Sequence, residues 1–339
     1  MRQSRSVLAG WLLGLGALLV AAVLWGATVG AAPITPTAVA RIVLDRLGLL
    51  SYTPTGPHYT YIVLQLRLPR IALAAAVGAA LAVAGTVMQG FFRNPLADPS
   101  IIGVSTGAAA GAVAVLVLPA LIPFGLPVAA LVGGLVTAFA VYLIATRDGH
   151  TPVATLLLAG VAIQTFLGAA ISFMMVQSKP HSLRAAVVWL IGSLGDSAWS
   201  EAATVTGATV VGLLVLGSYG RDLNVLLLGE ADAHAVGVEV ERTKRILLAV
   251  SSLLTGFAVM YVGVIGFVGL VVPHVMRLLV GPDHRVLLPT SALAGASFLV
   301  ISDTIARAGA QEFPVGIVTA AVGAPFFLYL LRRREVYAL

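Results

Sequence analysis

The sequence predicts an all-α, polytopic membrane protein with about ten transmembrane helices, and three observations lead there. Of its 339 residues, 59% are hydrophobic and only 10% are charged. Apolar stretches of about 20 residues, the length that crosses a hydrocarbon core, recur along nearly the whole chain. The chain also carries 36 glycines, several at helical spacing inside those stretches, where small residues let backbones pack closely in lipid.

The spans follow from the apolar runs between polar breaks. The first, "VLAGWLLGLGALLVAAVLWGATVGAA", follows Arg2 and Arg5. Its length exceeds the roughly 7–15 apolar residues of a signal peptide, so a retained span over 7–29 is expected. The next, 68–89, opens on "LRLPR" and carries a small-residue ridge of Ala74, Gly78 and Ala82; 101–120 carries a double GxxxG at Gly103, Gly107 and Gly111. Both ridges are read as packing surfaces. Spans at 127–146 and 152–175 complete the first half, and 202–219 opens the second. The pair 246–264 and 266–280 is separated only by the glycine-rich bend in "GVIGFVGLVVP". Spans at 287–305 and 316–331 close the chain. No soluble domain fits between them, so residues 1–339 form one integral domain, interrupted by a cytoplasmic loop at 219–245.

An even number of spans puts both termini on one side. Thirteen of the twenty Lys and Arg residues fall on the terminal side, among them Arg93, Arg147, Arg242 and Arg285, and seven fall on the other, including Arg41, Arg67, Arg184 and Arg307. By the positive-inside rule both termini are cytoplasmic. A net charge of +6 is accounted for by anionic lipid and needs no nucleic acid.

Composition also narrows the chemistry. The absence of cysteine excludes disulfides, thiolate metal sites and cysteine nucleophiles. The six histidines form no HExxH or paired ligand spacing, and no GxSxG elbow occurs, so neither catalytic nor metal-ligating residues are expected. An ion-coupled carrier needs a carboxylate at mid-membrane. None of the fourteen acids lies there; Asp303 comes closest, with Arg307 at i+4 as its structural partner. Lys179 and Lys244 lie in no GxxxxGK[ST] context, so the chain itself holds no ATP. What remains is a transport subunit driven by another polypeptide, with a secondary carrier and a membrane enzyme as rivals.

Two segments suit docking. The loop "GSYGRDLNVLLLGEADAHAVGVEVERTKRILLAV" reads as two short helices around Gly229, each too short to cross lipid. Helices this short are marginal alone, so something is expected to pack on them. At the opposite face, Arg67 and Arg70 abut a long apolar run with no acidic residue near in sequence, and Arg307 reaches the same rim from the other half. Snorkelling to headgroups and docking of an acidic partner both fit this pattern.

The segments "LRLPRIALAAAVGAALAVAGTVMQGFFRNPLADPSIIGVSTGAAAG", "LLLAGVAIQ", "GFVGLVVPHVMRLLVGPDHRVLLPTSALAGA" and "FPVGIVTAAVGAPFFLYLLRR" closely resemble the FecCD family of ABC importer permeases, from about residue 60 onward. The resemblance implies a type II ABC importer permease fold and a dimer of permeases. It also implies two cytoplasmic ATPase subunits, which bind ATP and Mg, and an extracytoplasmic substrate-binding protein. It implies that Arg67, Arg70 and Arg307 meet glutamates of that binding protein. Gly229, Glu230, Ala235 and Gly237 would seat in the ATPase, and Asn94, Leu96, Val153 and Ala154 would form the cytoplasmic gate. No cofactor is expected on this chain. For cargo, "MQGFFRNPLADPSIIGVSTG" resembles the haem-import branch first, with ferric siderophore next and cobalamin third.

Overall fold

Lipid offers the backbone no hydrogen-bond partner, so every spanning segment must satisfy itself, and in this chain each does so as a helix. The computed structural model describes residues 5–52, 58–119, 125–309 and 311–333. Helix α1 (Arg5–Thr28) is followed by the short α2 (Pro36–Arg46), which Thr35 caps through a 3.3 Å bond from Ala38 N. One turn, α3 (Tyr59–Tyr61), runs through a π-helical stretch, Ile62–Arg67, into α4 (Leu68–Phe91). The first half continues with a 3₁₀ turn at Pro99–Ile102, α5 (Val104–Val117), α6 (Leu126–Ala145), α7 (Val153–Val176) and α8 (Pro180–Ile191). The second half holds α9 (Trp199–Ser218), the short α10 (Gly220–Leu226) and α11 (Glu230–Ala235), then α12 (Val240–Val262), α13 (Val268–Val280), α14 (His284–Ala306) and α15 (Val315–Arg333).

Among the described residues, seven of these helical runs are long and apolar enough to cross a membrane, and three shorter apolar helices, Val104–Val117, Val268–Val280 and Val315–Tyr329, stand where the sequence places the other expected spans. The expected cytoplasmic termini fall on residues 1–4 and 334–339, outside the described residues. α12 starts at Val240 rather than near 246, because the polar "VERTK" turn continues the helix past the apolar run. α5 and α13 are short for visible reasons. Gly103, at φ 84, ends the 3₁₀ turn before α5, and Phe267, at φ 70, stands at the N-terminus of α13, after a connection from Val262 to Val268 that is longer than the tight bend the sequence predicts.

Helix α4 is the centre. It is buried along nearly its whole length and packs on α14, α9, α12 and α13. Both predicted small-residue ridges act in packing. Gly78 of α4 lies against the Gly295 carbonyl of α14, and a Cβ on either glycine would overlap the other's backbone. Gly107 and Gly111 of α5 meet Gly133 O and Ala129 O of α6 in the same way. Since apolar transfer cannot drive helices together in lipid, such close approach is what holds them.

Candidate functional site

The chemistry-bearing residues gather at the two ends of the α4–α14 pair. At the end where α4 begins, three guanidiniums are buried: Arg67 is 5%, Arg70 7% and Arg307 4% exposed. The last carbonyls of a helix have no partner within it, and here arginines supply one for α1. Arg67 Nη1 donates to Ala27 O at 2.8 Å and to Thr28 O at 3.2 Å, and its Nη2 donates to Ala32 O at 2.6 Å. Arg307 donates to Gly26 O at 2.9 Å and Val29 O at 3.0 Å. Cations at a helix C-terminus also oppose its dipole.

Two carboxylates balance this cluster. Asp303, 1% exposed, accepts from Arg70 Nε at 3.0 Å and from Arg307 Nε at 3.0 Å. Arg70 Nη1 also pairs with Glu312 at 2.9 Å, whose side chain is 54% exposed. The Asp303–Arg307 pair matches the i+4 reading. The picture of Arg67 and Arg70 as unpaired, rim-exposed cations does not hold: Arg70 takes its acids from 233 and 242 residues away, and Arg67 takes carbonyls. Burial likewise removes headgroup snorkelling as an account of the three.

At the opposite end, the loop forms the two short helices expected around Gly229. Gly229, at φ 132, and Gly237, at φ 88, bound α11 in backbone conformations that favour glycine. Ala233 is buried, whereas Ala231, Asp232, His234 and Ala235 of α11 are exposed and the flanking Leu228 and Val236 are 71% and 60% exposed, so this segment presents a mixed face outward with an apolar residue at each end. α10 is tied to the first turn of α14: Asn224 Nδ2 donates to Asp283 at 2.7 Å, and His284 N donates to Asn224 Oδ1 at 2.9 Å.

The residue that joins this end together is Lys244, which the sequence reading names only in excluding an ATP-binding loop. It is 3% exposed. Its Nζ sits 2.7 Å from Glu230 on α11, 3.0 Å from Glu241 on α12, and 3.2 Å from Thr151 O, which stands two residues before α7. One ammonium thus fastens α11, α12 and the start of α7. The i, i+3 pair Glu241–Lys244 was visible in "VERTK"; the other two contacts needed the fold.

Of the predicted gate residues, Val153 and Ala154 open α7 immediately beyond Thr151. Asn94 shapes the turn after α4, accepting from Leu96 N at 2.9 Å. Leu96 lines a narrow cleft with Leu270, His274 and Phe326. Val153 and Ala154 are therefore joined to the α11 staple, and Leu96 looks toward α13 and α15 instead. Farther along the same segment, burial pushes the Asp98 carboxyl up, against two hydrogen bonds from Ser100. Gln164 Nε2 of α7 donates to Ile101 O at 2.8 Å, linking α7 to the 3₁₀ turn that follows.

Comparison with known proteins gives a consistent result. The model of the FecCD transport family matches residues 18–333. The chain is 51% identical to the cobalamin import system permease protein BtuC of Halobacterium salinarum, with 100% of both chains covered. It is 44% identical to the hemin transport system permease protein HmuU of Yersinia pestis, over 84% of this chain and 87% of that one. Its fold matches a solved structure of an inward-facing transporter assigned to the metal-chelate ABC type, with a TM-score of 0.83 and 32% identity, over 95% of this chain and 98% of that one.

Proposed function

The chain belongs to the FecCD transport family and is a BtuC-like ABC importer permease, and from that premise we propose that it carries a metal chelate inward, using ATP hydrolysed by partner subunits. Cobalamin is the first reading, supported by the 51% identical cobalamin permease. Haem, which the sequence put first, is the second, supported by the 44% identical hemin permease. A ferric siderophore stands third.

In this reading two copies of the chain enclose the path. An ATPase subunit holding ATP and Mg seats on the exposed edge of α11, around Gly229, Glu230, Ala235 and Gly237. The single observation that carries the mechanism is the Lys244 staple. A displacement of α11 pulls on Glu230, and through Nζ reaches Thr151 O and the first turn of α7, where Val153 and Ala154 stand. Coupling requires the nucleotide states to favour different permease conformations, and a rigid three-way contact transmits that difference. On the far side, an extracytoplasmic binding protein docks over the end of the α4–α14 pair that Arg67, Arg70 and Arg307 build, with Arg70 as the contact, since Arg67 and Arg307 are buried on α1 carbonyls and Asp303. The partly exposed Glu312 holds the place that a partner's glutamate takes on Arg70.

The test is reconstitution. The chain, its ATPase and its binding protein in liposomes should accumulate cobalamin only with ATP inside the ATPase compartment. Uptake by the chain alone on an ion gradient would overturn the reading. Binding of cobalamin, haem and a hydroxamate siderophore by the partner protein decides the cargo.

A further inference from the structure

A groove of about 310 Å³ opens between α6, α7 and α12, walled by Leu135, Phe139, Leu156, Leu248 and Leu253, with Arg245 at one end. A void that size has room for about ten waters at ~30 Å³ each, but each water needs two to four polar partners. The lining offers few: its polar side chains are Tyr142, Arg245 and Ser252, and the Ser252 hydroxyl already donates to Leu248 O at 2.6 Å. Phe139 is 62% and Leu253 39% exposed on helices that span the membrane, so the medium at the groove's mouth is hydrocarbon.

The charged end is selective. Arg245 is exposed in the first turns of α12, and among the described residues its one hydrogen bond runs from Nε to Glu241 O at 3.3 Å. Of the acids around it, Glu239 pairs with Arg242 at 3.2 Å and Glu230 with Lys244, while Glu241 pairs with Lys244 through Oε1 and its buried Oε2 has no hydrogen-bond partner. The terminal nitrogens of Arg245 are thus left for an outside anion. A zwitterionic headgroup neutralises its own phosphate, whereas an anionic one does not, and basic pockets between helices take anionic lipid.

We propose that this groove is a binding site for one anionic phospholipid, an acyl chain lying between α6 and α12 and the phosphate on Arg245. Native mass spectrometry of the full chain in detergent, titrated with phosphatidylglycerol and with phosphatidylcholine of equal chain length, tests it. Phosphatidylglycerol should be retained as a single copy about tenfold more tightly, the scale of one charge-assisted contact. Arg245→Gln should bring the two lipids level, and Ala249→Trp, which fills the groove, should remove the retained copy. Should the bulky variant fail to fold, Arg245→Gln still reads the headgroup contact from an exposed position. Equal retention of both lipids by the unaltered chain, or retention unchanged in Arg245→Gln, overturns the proposal.

Discussion

Replacing Lys244 with methionine keeps the stem and removes the ammonium, which isolates the staple. The lost contacts are the 2.7 Å and 3.0 Å pairs to Glu230 and Glu241 and the 3.2 Å bond to Thr151 O. Glu230 is 41% exposed, so its share is that of a surface pair, about 0–1 kcal/mol. Glu241 is 23% exposed and its Oε2 has no hydrogen-bond partner, so losing the ammonium leaves it largely stranded, which costs about 1.5–3 kcal/mol. The total, about 3 kcal/mol, lies at the lower end for breaking a buried pair. Unfolding in mixed micelles should show that loss. In liposomes with the partner subunits, transport should fall about tenfold while ATP hydrolysis continues, as expected when ~1.4 kcal/mol of coupling disappears. A double-mutant cycle with Glu230→Gln should give an interaction energy above about 0.5 kcal/mol. Normal transport with additive stabilities would refute the idea that force passes from α11 to α7 through Lys244.

Three further outcomes are expected. Asp303→Asn removes the buried countercharge from Arg70 and Arg307 together and should destabilise the chain by about 3–5 kcal/mol in the same unfolding assay; a loss below about 1 kcal/mol would mean that the carbonyls of α1 suffice for Arg307. Gly78→Val drives a side chain into the Gly295 backbone and should cost at least about 3 kcal/mol, seen as loss of monodisperse protein on size exclusion, while Gly10→Val on the open face of α1 should be silent. Glu312→Gln frees one edge of Arg70 and should tighten the docking of the binding protein, most visibly at low salt; unchanged affinity would remove Arg70 from the docking face.

The spans were legible because lipid demands long apolar runs, and hydropathy needs no knowledge of neighbours. The packing role of Gly78, Gly107 and Gly111 was legible for the same reason, as close approach in lipid needs small residues at helical spacing. The helices α2 and α8 went unread, being too short and too polar to register as spans. The partners of the arginines were hidden by distance along the chain: Asp303 and Glu312 meet Arg70 only once α14 lies antiparallel to α4, and the carbonyls that hold Arg67 carry no sequence signal at all. Glu230 was named for its place in a motif, but its bond to Lys244 depends on α11 folding back on α12. Leu96 was grouped with Val153 by family likeness, and the fold separates the sides on which they look.

The seam between Gly78 and Gly295 has one last implication. Where side chains interdigitate, helices can slide and re-seat in a new register; where main chain rests directly on main chain, no pliable layer remains to be rearranged. α4 and α14 therefore form a fixed mast, and in the proposed cycle movement falls to the rigging around it, among it α7 and the glycine-bounded α11.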